Sequence, residues 1–112
     1  MSAQTPDLNE LLRRAQEVQQ RLAEAQRELA RRTVEASSGG GLVTAVATGE
    51  PRIVEVRIDP ALLATGDREM LQDLVAAAVN AALAAAVRMV QEELQRLAAA
   101  SGMALRPGPF GS

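Results

Sequence analysis

The chain has 112 residues, 47% of them hydrophobic, and 12 basic against 14 acidic side chains, values that fit one soluble, folded domain. It has no His, Cys, Trp or Tyr, which excludes zinc sites built on Cys or His, thiol nucleophiles, Ser-His triads and disulfides. No secretory signal is recognisable, so a cytoplasmic protein is expected. Because Ala dominates the apolar residues and buries little surface, we expect a second copy of the chain to supply much of the stability.

The first predicted element is a long amphipathic helix. Its apolar residues alternate between spacings of three and four over three heptads: Leu8, Leu11, Ala15, Val18, Leu22, Ala25 and Leu29. We expect the helix to begin near Asp7, whose side chain can cap the first free amides, with Glu10 completing a capping box. It should end near Arg32.

Composition changes at Thr33, where Val, Thr and Ala become frequent. Three short antiparallel strands are predicted over residues 33–38, 42–48 and 52–58, joined by turns at residues 39–41 and 48–51. Asp59 and Pro60 end the last strand, since Pro cannot donate to a sheet ladder. A lone sheet of three strands has exposed edges that need cover.

A second long helix is predicted after a connector at residues 61–66, with Asp67 as its cap. Between Val75 and Val87 the only polar residue is Asn80. A helix that is apolar on every side must be buried on every side, so we expect it to lie between the sheet, the first helix and a second copy. The run is too short and too rich in Ala for a convincing membrane span, and no membrane association is expected.

The expected dimer interface lies within this apolar run: Val75, Ala78, Val79, Asn80, Ala82, Leu83 and Ala86. Asn80 is either a satisfied core amide or a device that fixes register across the dimer seam. We expect a single domain over residues 1–101, followed by a mobile tail at residues 102–112 that contains Gly and Pro.

No catalytic site is predicted. Asp59, Asp67, Glu69 and Asp73 lie near the connector, but their positions at strand and helix ends indicate turn closure and helix capping. The three glycines at residues 39–41 lack the Lys-Ser/Thr of a P-loop and do not precede a helix, which favours a hairpin turn. We therefore expect no enzymatic activity, no cofactor, no metal and no small-molecule substrate.

The charge pattern indicates a possible phosphate-binding surface. All basic side chains are Arg, which forks onto phosphate oxygens. Residues 11–32 hold six Arg against three Glu, in a chain whose net charge is −2. The excess of Arg fits either a face that contacts phosphates or a solvated face on which Arg and Glu form ion pairs, such as Glu10–Arg14 and Glu17–Arg21. With no aromatic to stack on bases in the folded region, single-strand binding by stacking is not expected.

Several segments together carry a family resemblance: residues 8–32 with a Gln-rich register, then residues 39–43, 56–63, 69–80 and 102–108. The most specific part is Asp-Pro-x-Leu at residues 59–62 followed by Glu-x-Leu-x-Asp-Leu at residues 69–74. In these features the whole chain resembles the YbaB/EbfC family of bacterial nucleoid-associated proteins. The resemblance implies an α+β chain of helix, three-stranded antiparallel sheet and helix, assembled as an intertwined, tweezer-like homodimer with projecting helical arms.

The resemblance also implies binding to double-stranded DNA in the nucleoid, with a change in DNA conformation and roles in nucleoid organisation, gene regulation and DNA protection. The expected phosphate contacts are made by Arg13, Arg14, Arg21, Arg27, Arg88 and Arg96. We expect the start of the first helix to lie beside the end of the second, which would bring these side chains together, with little base readout. The alternative is an acidic homodimeric scaffold that binds a protein partner through its Ala/Leu helical arms.

Overall fold

The computed structural model describes residues 7–100. Its elements in chain order are α1 (Leu8–Arg31), β1 (Thr33–Ser38), β2 (Val43–Thr48), β3 (Arg52–Ile58), α2 (Pro60–Ala64) and α3 (Arg68–Ala100). The strands form one antiparallel sheet in the order β1-β2-β3. The predicted order of helix, three strands and helix is confirmed, whereas the tail predicted for residues 102–112 lies outside the described residues.

The start of α1 differs in detail from the expected capping box. Asp7 has the extended backbone of an N-cap, but its side chain makes no capping hydrogen bond. Glu10 accepts instead from the guanidinium of Arg14 over 2.9 Å, so the predicted capping box is wrong and the predicted ion pair is confirmed. Glu17 and Arg21, although spaced in the same way, form no ion pair within 4 Å; both are exposed, where water competes for the charges.

Glycine makes the tight turn between β1 and β2. Gly39, Gly40 and Gly41 all have positive φ angles, of 61°, 68° and 102°, which side chains with a Cβ rarely adopt. The amide of Gly41 donates to the carbonyl of Ser38 over 3.1 Å, which closes the predicted hairpin turn.

The predicted connector at residues 61–66 contains a short helix, α2, and this part of the prediction is wrong. The Asp59 carboxylate accepts from the amide of Ala61 over 2.8 Å, and Pro60 occupies the first turn, where its missing N–H costs nothing. Leu62 is thereby carried into the core with 2% of its surface exposed. Asp67 caps α3 as predicted, since its side chain accepts from the amide of Met70 over 3.0 Å.

The core is a contact of small side chains between α3 and the sheet. Because α3 lies over β1 and β2 and only marginally over β3, the residues of the central strand are the best covered. The buried cluster consists of Val43, Ala45, Ala47, Leu62, Ala78, Ala82 and Ala86. Such small side chains let the helix approach the sheet closely but bury little apolar area each.

By length and composition alone, α3 could cross a membrane. A mostly buried core helix passes the same test, but only 17% of the most apolar stretch of α3 is buried inside the single chain, where Ala78, Ala82 and Ala86 lie against the sheet.

The first helix projects from the body formed by the sheet, α2 and α3. The chain measures 82 × 30 × 15 Å, and its radius of gyration of 21.6 Å far exceeds the value of about 13 Å for a compact chain of 100 residues. Every residue from 11 to 22 is exposed, so the expectation that the first helix covers α3 is wrong.

The lengths of the two long helices explain why most of α1 is not covered by α3. It crosses β1 from Leu74, whose carbonyl accepts from Ser38, to Glu93, which pairs with Arg32 at the start of the strand. Only residues 94–100 of α3 extend past the sheet, about 10 Å of helix, whereas the 24 residues of α1 span about 36 Å.

Candidate nucleic-acid interface

The arginines of α1 are divided by a line of acidic residues. Successive residues of an α-helix turn by about 100°, so Glu10, Glu17 and Glu24, spaced by seven, lie almost above one another. Arg14 and Arg21 lie on the side of this line that borders the apolar residues of the helix. The six expected contact residues therefore do not form one continuous basic face.

The other arginines of α1 lie on the far side of the acidic line. Arg13, Arg27 and Arg31 fall within about 40° of one another around the helix, and all three are exposed. None of them forms an ion pair within 4 Å in the described part of the chain. Their guanidinium groups thus face solvent with their charge uncompensated at close range.

The apolar residues of α1, which we term the seam, are largely uncovered in one chain. Leu8, Leu11, Val18 and Leu22 are 67%, 46%, 55% and 47% exposed, and only Leu29 at the body is buried. A regular seam of this kind is typical of a helix that packs against another helix.

A second group of arginines lies where α1, β1 and α3 meet, a region that we term the joint. Arg32, Arg88 and Arg96 line an open cavity of about 310 Å³ together with Glu92 and Glu93. Glu93 accepts from Arg96 and lies 3.6 Å from Nη1 of Arg32, so one carboxylate serves two guanidinium groups. Arg88 is exposed and has no ion pair within 4 Å among residues 7–100.

The expected meeting of Arg88 and Arg96 with the arginines at the start of the first helix is not observed. Arg13 lies 16 residues before Leu29, about 24 Å along the helix axis from the joint. The arginine that the structure brings to Arg88 and Arg96 is Arg32, which the sequence did not assign to the site. Only the crossing of α3 over β1, a tertiary feature, could have revealed it.

The outer face of the sheet holds arginines of a different kind. Arg57 hydrogen-bonds to Glu55 and, across the central strand, to Glu35; these contacts raise the pKa of Arg57 above its usual value. Arg52 lies 3.5 Å from Glu50. With their charges matched by neighbouring carboxylates, these arginines are poor candidates for phosphate contacts.

The seven residues expected at the dimer interface divide into two groups. Ala78, Ala82 and Ala86 have no exposed surface and face the chain's own sheet, so in the single chain they present no surface to a second copy. The reason is that small side chains on one side of α3 are what the sheet packs against. Asn80 is exposed in the single chain, and its place at a dimer seam stays a prediction.

The other expected interface residues border an uncovered part of the body. Val75, Val79 and Leu83 are half-buried at the margin of the core. The last two lie on the side of α3 away from Ala85, which lines the cavity at the joint together with Val34 of β1, and so they point toward β3.

Strand β3 contributes to the same uncovered surface. Val56 pairs with buried Ala45, shares its face of the sheet and is 38% exposed because α3 barely reaches this strand. We term Val56, Val79 and Leu83 the open side of the body.

Among the described residues no cluster of three or more acidic side chains is placed to hold a metal ion.

Comparisons with known proteins agree on one family. The model of the YbaB/EbfC DNA-binding family matches residues 4–103. A nucleoid-associated protein from Acetivibrio thermocellus is 46% identical over 104 residues, which cover 93% of this chain and 90% of the relative. A nucleoid-associated protein from Streptomyces avermitilis is 46% identical over 106 residues, with 94% of each chain covered.

A solved structure shares the fold. The crystal structure of an uncharacterized protein from Helicobacter pylori superposes with a TM-score of 0.64 at 20% identity and covers 83% of this chain and 98% of that chain. This likeness supports the helix–sheet–helix architecture and nothing more specific.

Proposed function

Because the chain belongs to the YbaB/EbfC DNA-binding family, we propose that it is a nucleoid-associated protein that binds double-stranded DNA as a homodimer and changes DNA conformation. The contacts are made mainly to the phosphate backbone by arginines of the projecting α1 and of the joint. Such a protein works in the nucleoid, within the cytoplasm, in DNA organisation, gene regulation and DNA protection. The family match over residues 4–103 is the observation that carries the proposal.

The projecting α1 supports a role in contacting a long, charged ligand. It is about 36 Å long, close to one helical turn of B-DNA, and carries five exposed arginines. The net charge of −2 gives no general attraction to nucleic acid, so the affinity must come from these local groups. Phosphate contacts of this kind make binding strongly dependent on salt.

The open side supports self-association. Val56, Val79 and Leu83 place apolar surface at the edge of a core built from small side chains, and covering it would add burial that one chain lacks. Exposed Asn80 lies on the neighbouring surface of α3, where an amide could fix the register of two copies. Two copies would carry two arms, which fits the tweezer-like arrangement.

The exposed seam of α1 favours a second candidate, a homodimeric scaffold that binds a protein partner through its arms. Leu8, Leu11 and Leu22 could pack into a complementary helix, a common mode of peptide recognition. Such a complex would be held by apolar burial and would weaken little as salt rises.

Fluorescence anisotropy with a labelled duplex of 30 base pairs, measured across a salt series beside light scattering of the protein alone, tests the proposal. We expect a dimer whose affinity for the duplex falls steeply with salt, by about 0.9 log units per log unit of salt for each phosphate neutralised. A chain that does not bind duplex at low salt contradicts the proposed function and favours the scaffold. A stable, folded monomer contradicts the homodimer.

A further inference from the structure

The surface of α1 directed away from its seam combines arginines with amides and lacks acids. Six exposed residues lie within an arc of about 60° around the helix axis: Asn9, Arg13, Gln16, Gln20, Arg27 and Arg31. From Asn9 to Arg31 this surface runs about 33 Å along the helix axis. We term it the amide–arginine face.

The geometry points to this face as the part of each arm that lies against the DNA backbone, an inference that rests on the proposed function. It retains Arg13 and Arg27 from the expected contacts, adds Arg31, and assigns no DNA contact to Arg14 and Arg21.

An ion pair separates Arg14 from the amide–arginine face. Arg14 is held by Glu10 at 2.9 Å, and a phosphate would have to displace that carboxylate. Arg21, by contrast, forms no ion pair within 4 Å in the described part of the chain, and its carboxylates at four residues before and three residues after match in number those that Arg13 has in Glu10 and Glu17. An approaching phosphate would meet carboxylates beside Arg21 and beside Arg13 alike, so the position of the seam decides the assignment of Arg21.

The amide–arginine face presents no such obstacle at its centre. Arg27 and Arg31, four residues apart, lie over one another and reinforce the positive potential there. Gln16 and Gln20 supply amide donors that can hydrogen-bond to phosphate oxygens without adding charge.

The position of the seam gives an independent reason to assign the DNA contact to the amide–arginine face. The centre of the amide–arginine face lies about 160° around the helix from the centre of the seam. Whatever covers the exposed Leu11, Val18 and Leu22 therefore leaves this face open, whereas Arg14 and Arg21 would lie beside the covering helix. The face thus stays accessible in an assembled dimer.

A pair of double variants with equal change of charge on the same helix tests the assignment. Arg13→Gln with Arg27→Gln should lower the slope of log affinity against log salt by about 0.9 for each arginine, in anisotropy titrations with the duplex of 30 base pairs. Arg14→Gln with Arg21→Gln should leave the slope at its original value. Circular dichroism and light scattering verify that both variants fold and assemble as the original chain does.

A second pair of variants adds one positive charge each, because a misfolded variant would not show the expected increase in slope. Gln20 lies at the centre of the amide–arginine face, and its neighbour Gln19, which is also exposed, lies beside the seam. Gln20→Arg should raise the slope by about 0.9, and Gln19→Arg should not change it.

The outcomes test the assignment of the amide–arginine face separately from the proposed DNA binding. Equal losses in both double variants, or a larger loss for the Arg14 and Arg21 variant, overturn the face assignment while the proposed DNA binding stands. Equal gains for both single variants overturn it in the same way, because net charge alone would then explain the binding. If the original chain does not bind the duplex, the proposed function itself fails.

Discussion

The two long helices of this chain use apolar residues in opposite ways. In α1 the apolar residues are confined to a regular seam, yet most of that seam is exposed. In α3 they extend around the helix, yet only Ala78, Ala82 and Ala86 on one side are buried. The comparison shows that apolar content does not indicate which helix packs within its own chain; the position of the sheet decides that.

The charges differ between the helices as well. Charged residues run along the whole of α1 in separate lines, whereas α3 has none between Asp73 and Arg88. We propose a division of labour, in which the body formed by α3 and the sheet holds a second copy and the α1 arm contacts DNA. The experiments below test each side of this division, from the largest expected effect to the smallest.

Placing a charge in the body's core should have the largest effect. Ala82→Asp would bury a carboxylate without a partner, at a cost of several kcal/mol that approaches the whole stability of a domain this size. We expect loss of the cooperative thermal transition followed by circular dichroism. Ala84→Asp, at an exposed position two residues later, is the control and should fold. Equal stability of the two variants would show that this side of α3 is not the core.

A charge on the open side should separate the copies without unfolding the chain. Leu83→Glu would place a carboxylate in the proposed contact between bodies, and we expect the dimer to weaken by about 100-fold, or roughly 2.7 kcal/mol. Sedimentation equilibrium at several concentrations measures the change. Gln91→Glu, which adds the same charge at an exposed position farther along α3, should leave the dimer intact. Equal dimer strength in the two variants would remove the open side from the interface.

The attachment of the arm to the body can be disturbed at Gly49. A Cβ added there would lie 2.0 Å from the carbonyl oxygen of Leu29 and 3.1 Å from Cγ2 of Val90, and backbone would have to move. Gly49→Ala should cost about 2 kcal/mol and lower the melting temperature by roughly 8–16 °C. Glu50→Ala, in the same turn, should shift it far less, and a matching loss would point to the turn itself rather than to the arm contact.

The smallest effect is expected at the joint. Glu93→Gln frees Arg32 and Arg96 from the carboxylate that they share, and affinity for duplex at low salt should rise about two- to fivefold, as exposed ion pairs contribute about 0.4–1 kcal/mol. Glu92→Gln removes the same charge from the same cavity, but Glu92 forms no ion pair within 4 Å in the described chain. Equal gains in the two variants would show that only net charge matters at the joint.

Sequence patterns predicted the elements of the fold well where polar and apolar residues contrast. The seam of α1 has such contrast, and the predicted bounds of this helix nearly match the observed ones. The helix α2 was missed because five residues are too few to show a periodicity, although Asp59 before Pro60 was an available start signal.

The candidate site was harder to predict, because it depends on regions where polar and apolar residues do not contrast and on contacts between distant elements. Between Val75 and Val87 nearly every residue is apolar, so no pattern could separate Ala82, which faces the sheet, from exposed Ala84. The joint depends on where α3 crosses β1, which no local pattern encodes, and Arg32 was therefore overlooked. The acidic line that divides the arginines of α1, by contrast, could have been read from the spacing of seven between Glu10, Glu17 and Glu24.

The most direct test of the division of labour compares the salt dependence of duplex binding for the original chain and for Leu83→Glu. If each body holds one partner and each arm contacts DNA, the dimer presents two arms and the separated chain one. The slope of log affinity against log salt should then fall to about half in the variant, because the number of neutralised phosphates halves. An unchanged slope in a chain shown to be monomeric, or binding by the original chain that is indifferent to salt, would contradict the account.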